Sequence, residues 1–264
     1  HFRMATLRRF SWTKTRTTFD GKVYGIPQSG RTSRGKAIVN LMAFEPEEKL
    51  TTVVAVPDFA PGRYLLMATR RGYLKKTDLM AFSRPRANGL IALSLDEGDE
   101  LISTRVTDGT LNVFLSTATG QSIRFHEADI RPMGRTARGV RGVALRREDH
   151  VVGMEVLTHG QTLVTVTEHG YGKRTSIDEY PLQRRGGKGV ITIKTSERNG
   201  RVVGILLVEE EDELMLMTDA GKLIRMPVAG ISIIGRNTQG VKLIGVESGE
   251  RVIGAARLVE DAAA

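Results

Sequence analysis

The sequence predicts an all-β chain, a propeller-like ring of four-stranded blades, on three observations. Glycine is plentiful, 29 in 264 residues, and aromatics make up only 5%, which suits many short strands joined by tight turns. One turn word, Thr-x-x-Gly, recurs five times at a near-constant spacing. Short apolar runs keep fixed places around each occurrence, and no stretch sustains a helical period.

The turn word occurs at Thr18–Gly21, Thr69–Gly72, Thr117–Gly120, Thr167–Gly170 and Thr218–Gly221, its glycines 51, 48, 50 and 51 residues apart. From the second copy on, an apolar run precedes it, as in Leu65-Leu66-Met67 and Val113-Phe114-Leu115. A basic strand follows in every copy: Lys22-Val23-Tyr24, Leu74-Lys75-Lys76, Ile123-Arg124-Phe125, Lys173-Arg174 and Lys222 to Arg225. Two runs around a short glycine-bearing turn read as a β-hairpin. A polar, arginine-rich loop comes next, ending at Gly35, Gly89, Gly139, Gly189 or Gly240. A third strand (Leu90 to Leu93, Val190 to Ile193) and a fourth (Val53 to Val56, Leu101 to Val106, Val151 to Leu157, Val202 to Val208, Val252 to Ala256) complete each unit.

A unit of four strands cannot bury both faces alone. Packing units on one another makes strands apolar on both sides, as these are. The period fits a propeller-like ring, and a linear solenoid of shorter units fits less well. No segment reads as a linker, so residues 1–264 are expected to form one domain, with units at about 1–56, 57–106, 107–157, 158–208 and 209–259. The first copy is irregular: Gly21 to Gly35 spans 14 residues against 17 to 19 elsewhere, and His1 to Thr18 reads poorly as an apolar strand.

Charge narrows the function. Lys and Arg number 39 against 30 Asp and Glu, a net +9, which favours a polyanionic partner. The charges are sorted within units. Cations gather in the loop before the third strand: Arg31, Arg34 and Lys36; Arg84 and Arg86; Arg131, Arg135, Arg138 and Arg141; Arg184, Arg185 and Lys188; Arg236 and Lys242. Acids gather in the turn after the third strand: Glu45, Glu47 and Glu48; Asp96, Glu97, Asp99 and Glu100; Glu148 and Asp149; Glu209 to Glu213. In a ring the basic loops would form a belt able to follow a phosphate backbone, and a guanidinium matches phosphate in a bidentate way.

The sharpest motif is Gln183-Arg184-Arg185-Gly186-Gly187-Lys188-Gly189. Its glycines allow a tight turn whose N–H groups can approach phosphate, with three cations beside them and Gln183 able to donate to backbone or sugar. This heptapeptide resembles the gyrase A-box, the signature of the family of DNA gyrase A C-terminal domains. The words Ile38-Val39-Asn40-Leu41, Met67-Ala68-Thr69, Gly139-Val140-Arg141-Gly142, Tyr171 to Thr175 and Gly235 to Val241 fit as well. The resemblance implies a six-bladed β-pinwheel with strands exchanged between blades, where the residues themselves mark out five repeats. It implies duplex DNA wrapped on the basic perimeter in support of negative supercoiling by a type II topoisomerase. It also implies, as partners, the rest of the gyrase A subunit and the gyrase B subunit. In the family the box lies in the first blade; here it stands in the fourth copy. The C-terminal domain of the topoisomerase IV A subunit is the near alternative, and a basic propeller acting as a protein-interaction scaffold is the alternative of another class.

Catalysis is not expected of the domain itself. Gly30 to Lys36 nearly spells a P-loop, but Ala37 stands where a Mg²⁺-binding hydroxyl is required. The five histidines have no metal-ligand spacing and there is no cysteine, so no thiolate metal site or disulfide can form. No cofactor is expected. No apolar run reaches transmembrane length and His1 to Asp20 hold no signal-peptide h-region, so no membrane partner is expected. The expected setting is the bacterial cytoplasm, in association with the nucleoid, and the isolated domain is expected to be a monomer.

Overall fold

In the computed structural model, residues 10–14, 17–21, 50–56, 58–84, 90–158 and 160–258 are described. The elements alternate hairpin, 3-10 turn, short strand and long strand. The first hairpin is β1 (Phe10–Lys14) and β2 (Thr17–Gly21), followed by β3 (Leu50–Ala55). Then come β4 (Tyr64–Thr69), β5 (Tyr73–Asp78), β6 (Leu90–Ile91) and β7 (Leu101–Thr107). The third repeat holds β8 (Asn112–Thr117), β9 (Gln121–His126), β10 (Val140–Arg141) and β11 (Val151–Leu157). The fourth holds β12 (Thr162–Thr167), β13 (Tyr171–Ser176), β14 (Val190–Ile191) and β15 (Val202–Val208). The last holds β16 (Glu213–Thr218), β17 (Leu223–Pro227), β18 (Val241–Lys242) and β19 (Val252–Leu258). The all-β, four-stranded expectation holds.

The Thr-x-x-Gly word builds the turn for a clear reason. Gly72, Gly120, Gly170 and Gly221 have φ near +80°, a conformation that side-chain-bearing residues resist. The threonine carbonyl accepts the glycine N–H at 3.0 Å (Gly120), 3.1 Å (Gly170) and 3.1 Å (Gly221). The buried threonine hydroxyl spans the same turn, accepting from Lys222 N–H at 3.2 Å in the last copy. The first copy departs from this. Thr18–Gly21 lies inside β2, because β1 pairs Phe10 with Gly21 and Lys14 with Thr17. The stretch read as a poor strand therefore contains β1, and the strand expected at Lys22-Val23-Tyr24 lies outside the described residues.

The sheets are not the sequence repeats. Their orders are β3-β1-β2-β6, β10-β5-β4-β7, β11-β8-β9-β14 and β15-β12-β13-β18, with a three-stranded β17-β16-β19 last. In each four-stranded sheet the short outer strand comes from the next repeat's loop. Val190 and Ile191 pair with Ser122 and Gln121, and Val241 and Lys242 pair with Gly172 and Tyr171. The chain falls into two compact units, one of His1–Thr69, Leu74–Gly109 and Ile130–Val140, the other of Arg70–Tyr73, Thr110–Asp129 and Arg141–Ala264. Strand exchange is why these boundaries cut across the repeats. In the first unit Leu65, Met67, Leu79, Phe82, Leu93 and Leu101 form the core. The second unit has two clusters, one around Phe114, Leu163 and Tyr180, the other around Val164, Leu214, Leu216 and Ile244. Tyr180 meets Phe114 edge-on at 4.8 Å and bonds Thr192 Oγ1 at 2.8 Å, so its buried hydroxyl is satisfied.

Candidate nucleic-acid interface

Each fully described basic loop is an arch tied at both ends to the hairpin of the preceding repeat. At the entry, one residue forms a parallel bridge: Pro132 to Lys76, Leu182 to Arg124, Ile233 to Arg174. The next residue donates its N–H back to the same strand: Met133 to Lys76 at 2.8 Å, Gln183 to Arg124 at 2.8 Å, Ile234 to Arg174 at 2.9 Å. At the exit the chain enters β10, β14 or β18. About six residues must therefore span two residues' worth of strand, and the excess is forced outward.

The exit glycine is required by packing. Gly139, Gly189 and Gly240 have φ of +106°, +73° and +80°. A Cβ on Gly240 would lie 2.6 Å from the Gly172 carbonyl oxygen, and one on Gly139 or Gly189 would overlap the carbonyl of Leu74 or Ser122. Gly189 thus serves close backbone packing. Gly186, at φ +80°, donates its N–H to the Gly142 carbonyl at 2.6 Å. The carbonyl of Gly187 accepts from Ala144 N–H at 2.8 Å. The backbone N–H groups of Gln183 and Gly186 are spent inside the protein.

The cations divide in two. Arg184, Lys188, Arg131, Arg138, Arg141, Arg84 and Lys242 are exposed, whereas Arg135, Arg185 and Arg236 are half-buried. Arg185 donates from Nε to the Asp129 carbonyl at 2.9 Å and from a terminal nitrogen to the Arg141 carbonyl at 3.1 Å. Arg236 reaches the Ile191 carbonyl at 3.3 Å in the same way. Arg138 pairs with Asp96 at 3.0 Å in the open. Arg31, Arg34, Lys36 and Arg86 lie outside the described residues.

Four cations expected on basic strands are buried, Lys75, Lys76, Lys173 and Arg174, and two of them lie beneath arches. Lys75 and Lys173 are 1% and 0% exposed. Lys173 Nζ donates to the carbonyls of Gly235 at 2.7 Å and Arg236 at 2.5 Å and to Thr238 Oγ1 at 3.1 Å. Lys75 Nζ donates to the carbonyls of Ala92 at 2.5 Å and Arg135. Burial pushes both ammonium groups down to about 8; Arg135 adds to the effect at Lys75, and at Lys173 Glu179 opposes burial while Arg236 adds to it.

The acidic turns prove to be of two kinds. Asp99, Asp149, Asn199 and Glu250 each stand ten residues past the glycine that ends a basic loop in the sequence. Asp149 accepts from Thr119 N–H at 3.0 Å and from its hydroxyl at 2.6 Å, and Glu250 accepts from Thr218 Oγ1 at 2.6 Å and Lys222 Nζ at 2.9 Å. Glu209–Glu213 is not their equivalent, since it joins β15 to β16. There Glu210 pairs with Arg174 at 2.5 Å, and Asp212 pairs with Arg257 at 2.6 Å. Among the described residues no group of three His, Cys, Asp or Glu could hold a metal ion, and no helix is long and apolar enough to cross a membrane.

A family profile described as "DNA gyrase C-terminal domain, beta-propeller" matches residues 22–57, 63–108, 111–158, 161–209 and 212–258. The chain belongs to the DNA gyrase C-terminal domain family. Its relatives include the DNA gyrase A subunits of Salmonella typhimurium, 47% identical over 239 residues, and Escherichia coli, 46% over 239. The Staphylococcus aureus protein is 44% identical over 245 residues. The alignments cover 90% of this chain and 27% of the Salmonella protein, so the chain spans about a quarter of the relatives' length. Solved structures that share its fold include two C-terminal domains. One is the C-terminal domain of a DNA topoisomerase IV, with a TM-score of 0.86 and 24% identity over 97% of this chain and 80% of that one. The other is a DNA gyrase A C-terminal domain, at 0.84 and 22% over 97% and 84%. The five matched segments of the gyrase C-terminal domain profile follow the repeats read from the Thr-x-x-Gly period, and the three fully described arches lie within the last three of them.

Proposed function

We propose that this chain is a non-catalytic module that binds duplex DNA without sequence preference and bends it along successive arches. The observation that carries the reading is the arch itself. Each fully described loop is clamped at both ends to its neighbour's hairpin, so cations such as Arg138, Arg184 and Lys188 are held outward on a rigid support. Rigid cations at a fixed repeat suit phosphates, which carry no sequence information. No helix or long exposed strand among the described residues is shaped to read base edges. Family membership supports the further reading that residues 1–264 work as one wrapping domain of a longer, cytoplasmic gyrase A subunit. There it would act with the gyrase B subunit in ATP-dependent negative supercoiling, while the isolated domain is a monomer. The interface we assign is Gln183 to Gly189 with Arg31, Arg34, Lys36, Arg84, Arg86, Arg131, Arg135, Arg138, Arg141, Arg236 and Lys242.

The test is duplex affinity against salt. With about 6–10 phosphate contacts, affinity falls roughly 10³- to 10⁵-fold between 50 and 200 mM salt. A salt-insensitive affinity, or tight preference for one short site, contradicts the reading and favours a protein-interaction scaffold.

A further inference from the structure

Three residues past the hairpin-turn glycine, the chain carries Lys75, Ile123, Lys173 and Ile224 in successive repeats. The first three of these residues each lie against the arch of the following repeat. Over Ile123 sits the box arch, where a Cβ on Gly187 would lie 3.6 Å from Ile123 Cδ1. Over Lys75 and Lys173 sit the arches Gly134–Gly139 and Gly235–Gly240, whose second residue in each case is arginine. A buried ammonium is unfavourable unless its donors are satisfied. Lys173 meets that condition with three arch acceptors, two of them carbonyls; that of Gly235 also accepts from Thr238 Oγ1 at 3.0 Å. Drawing carbonyl oxygens inward removes negative dipole ends from the outer side of the arch, the side open to a polyanion.

We propose that Lys75 and Lys173 are positioning residues of the DNA interface: each fixes, from beneath, the arch of the following repeat and adds its charge to the attraction for phosphate there. The inference rests on the DNA-binding function proposed above. The charged groups that face these lysines are Arg135 for Lys75, and Arg236 with Glu179 for Lys173. Tyr180, beside Arg236, is held neutral by burial. Phosphate laid on an arch offsets the repulsion from its arginine and favours the charged lysine. The free lysines become neutral as pH rises through about 8, while the bound ones stay charged to higher pH. Binding therefore takes up protons above pH 8, and affinity falls with pH there but not below about 7.

The experiment uses the 264-residue chain and a long duplex at one salt concentration. Anisotropy gives the affinity from pH 7 to 9.5, and calorimetry at pH 8.3 in two buffers of different ionisation heat gives the proton uptake. The unmodified chain is expected to take up protons and to lose up to tenfold in affinity per pH unit for each lysine that titrates. Lys75→Met with Lys173→Met should flatten that profile and weaken binding at pH 7 by roughly three- to tenfold. Ile123→Met should keep the parental slope. Absence of proton uptake by the unmodified chain, or a double variant whose profile parallels the parent, overturns the inference. That uptake measurement needs no variant to fold. Failure of the unmodified chain to bind duplex at any pH and low salt would instead sink the DNA reading itself, and the inference with it.

Discussion

The guanidinium of Arg185 donates to the backbone carbonyl of Arg141, one repeat earlier, at 3.1 Å. Arg236 repeats the contact with Ile191, so this arginine position ties an arch to the short strand of the repeat before it. The adjacent arginines of the box thus have different work: Arg185 holds the arch in place and Arg184 faces solvent. Arg184→Ala should weaken duplex binding three- to tenfold and lower the salt slope by about 1, with no change in melting temperature. Arg185→Ala should lower stability by about 1 kcal/mol and weaken binding less. Paired binding isotherms and thermal melts check this, and equal effects of the two substitutions on stability would contradict the division.

Gly189→Ala should destabilise the chain by about 3 kcal/mol or more, because it adds strain at φ +73° to an overlap with the Ser122 carbonyl. Gly134→Ala, whose Cβ would meet nothing within 4 Å, should lie within about 1 kcal/mol of the parent. Denaturant titration separates them.

Replacing Glu209, Glu210 and Glu211 with Gln should raise duplex affinity by less than about threefold, through weaker long-range repulsion. Stability should fall by up to about 1 kcal/mol for each pair lost, chiefly Arg174–Glu210 at 2.5 Å. Abolished binding would mean that this turn touches DNA.

Glu250 is held down to about 2 by hydrogen bonds from Thr218 and Lys222 and from the Glu247 N–H. A carboxylate lowered in the folded state stabilises above its unfolded value and loses that contribution as pH falls towards the folded one. The parent should therefore lose stability between about pH 4.5 and 2, and Glu250→Gln should show a shallower loss over the same window in acid titrations.

The last four turns and the fourth strands were legible because each is local: Val151–Leu157 and Val202–Val208 stand where their apolar runs do. The exchange of β14 onto β9 was not legible from its residues. A two-residue strand has no period, and its partner lies 68 positions away at Ser122 and Val190; only the family resemblance implied it. The basic loops were found by charge, but which cations point outward depends on carbonyls one repeat away, as at Arg185. Lys75 and Lys173 were missed because lysine on a strand normally marks a solvated face. The available signal was the apolar residue at the same place in the alternate repeats, Ile123 and Ile224. The first repeat misled because its turn word fell inside β2 rather than at the hairpin end.

The most direct test of the central claim is to reseal a nicked plasmid with the chain bound, remove the protein, and resolve the topoisomers. A module that bends DNA through successive arches predicts a shift in the mean linking number that grows with bound chain. That shift should be reduced in the order Arg135/Arg138→Ala, then Arg184/Arg185/Lys188→Ala. A topoisomer distribution centred where protein-free DNA reseals, at protein levels that saturate the plasmid, would contradict wrapping and leave only flat electrostatic binding.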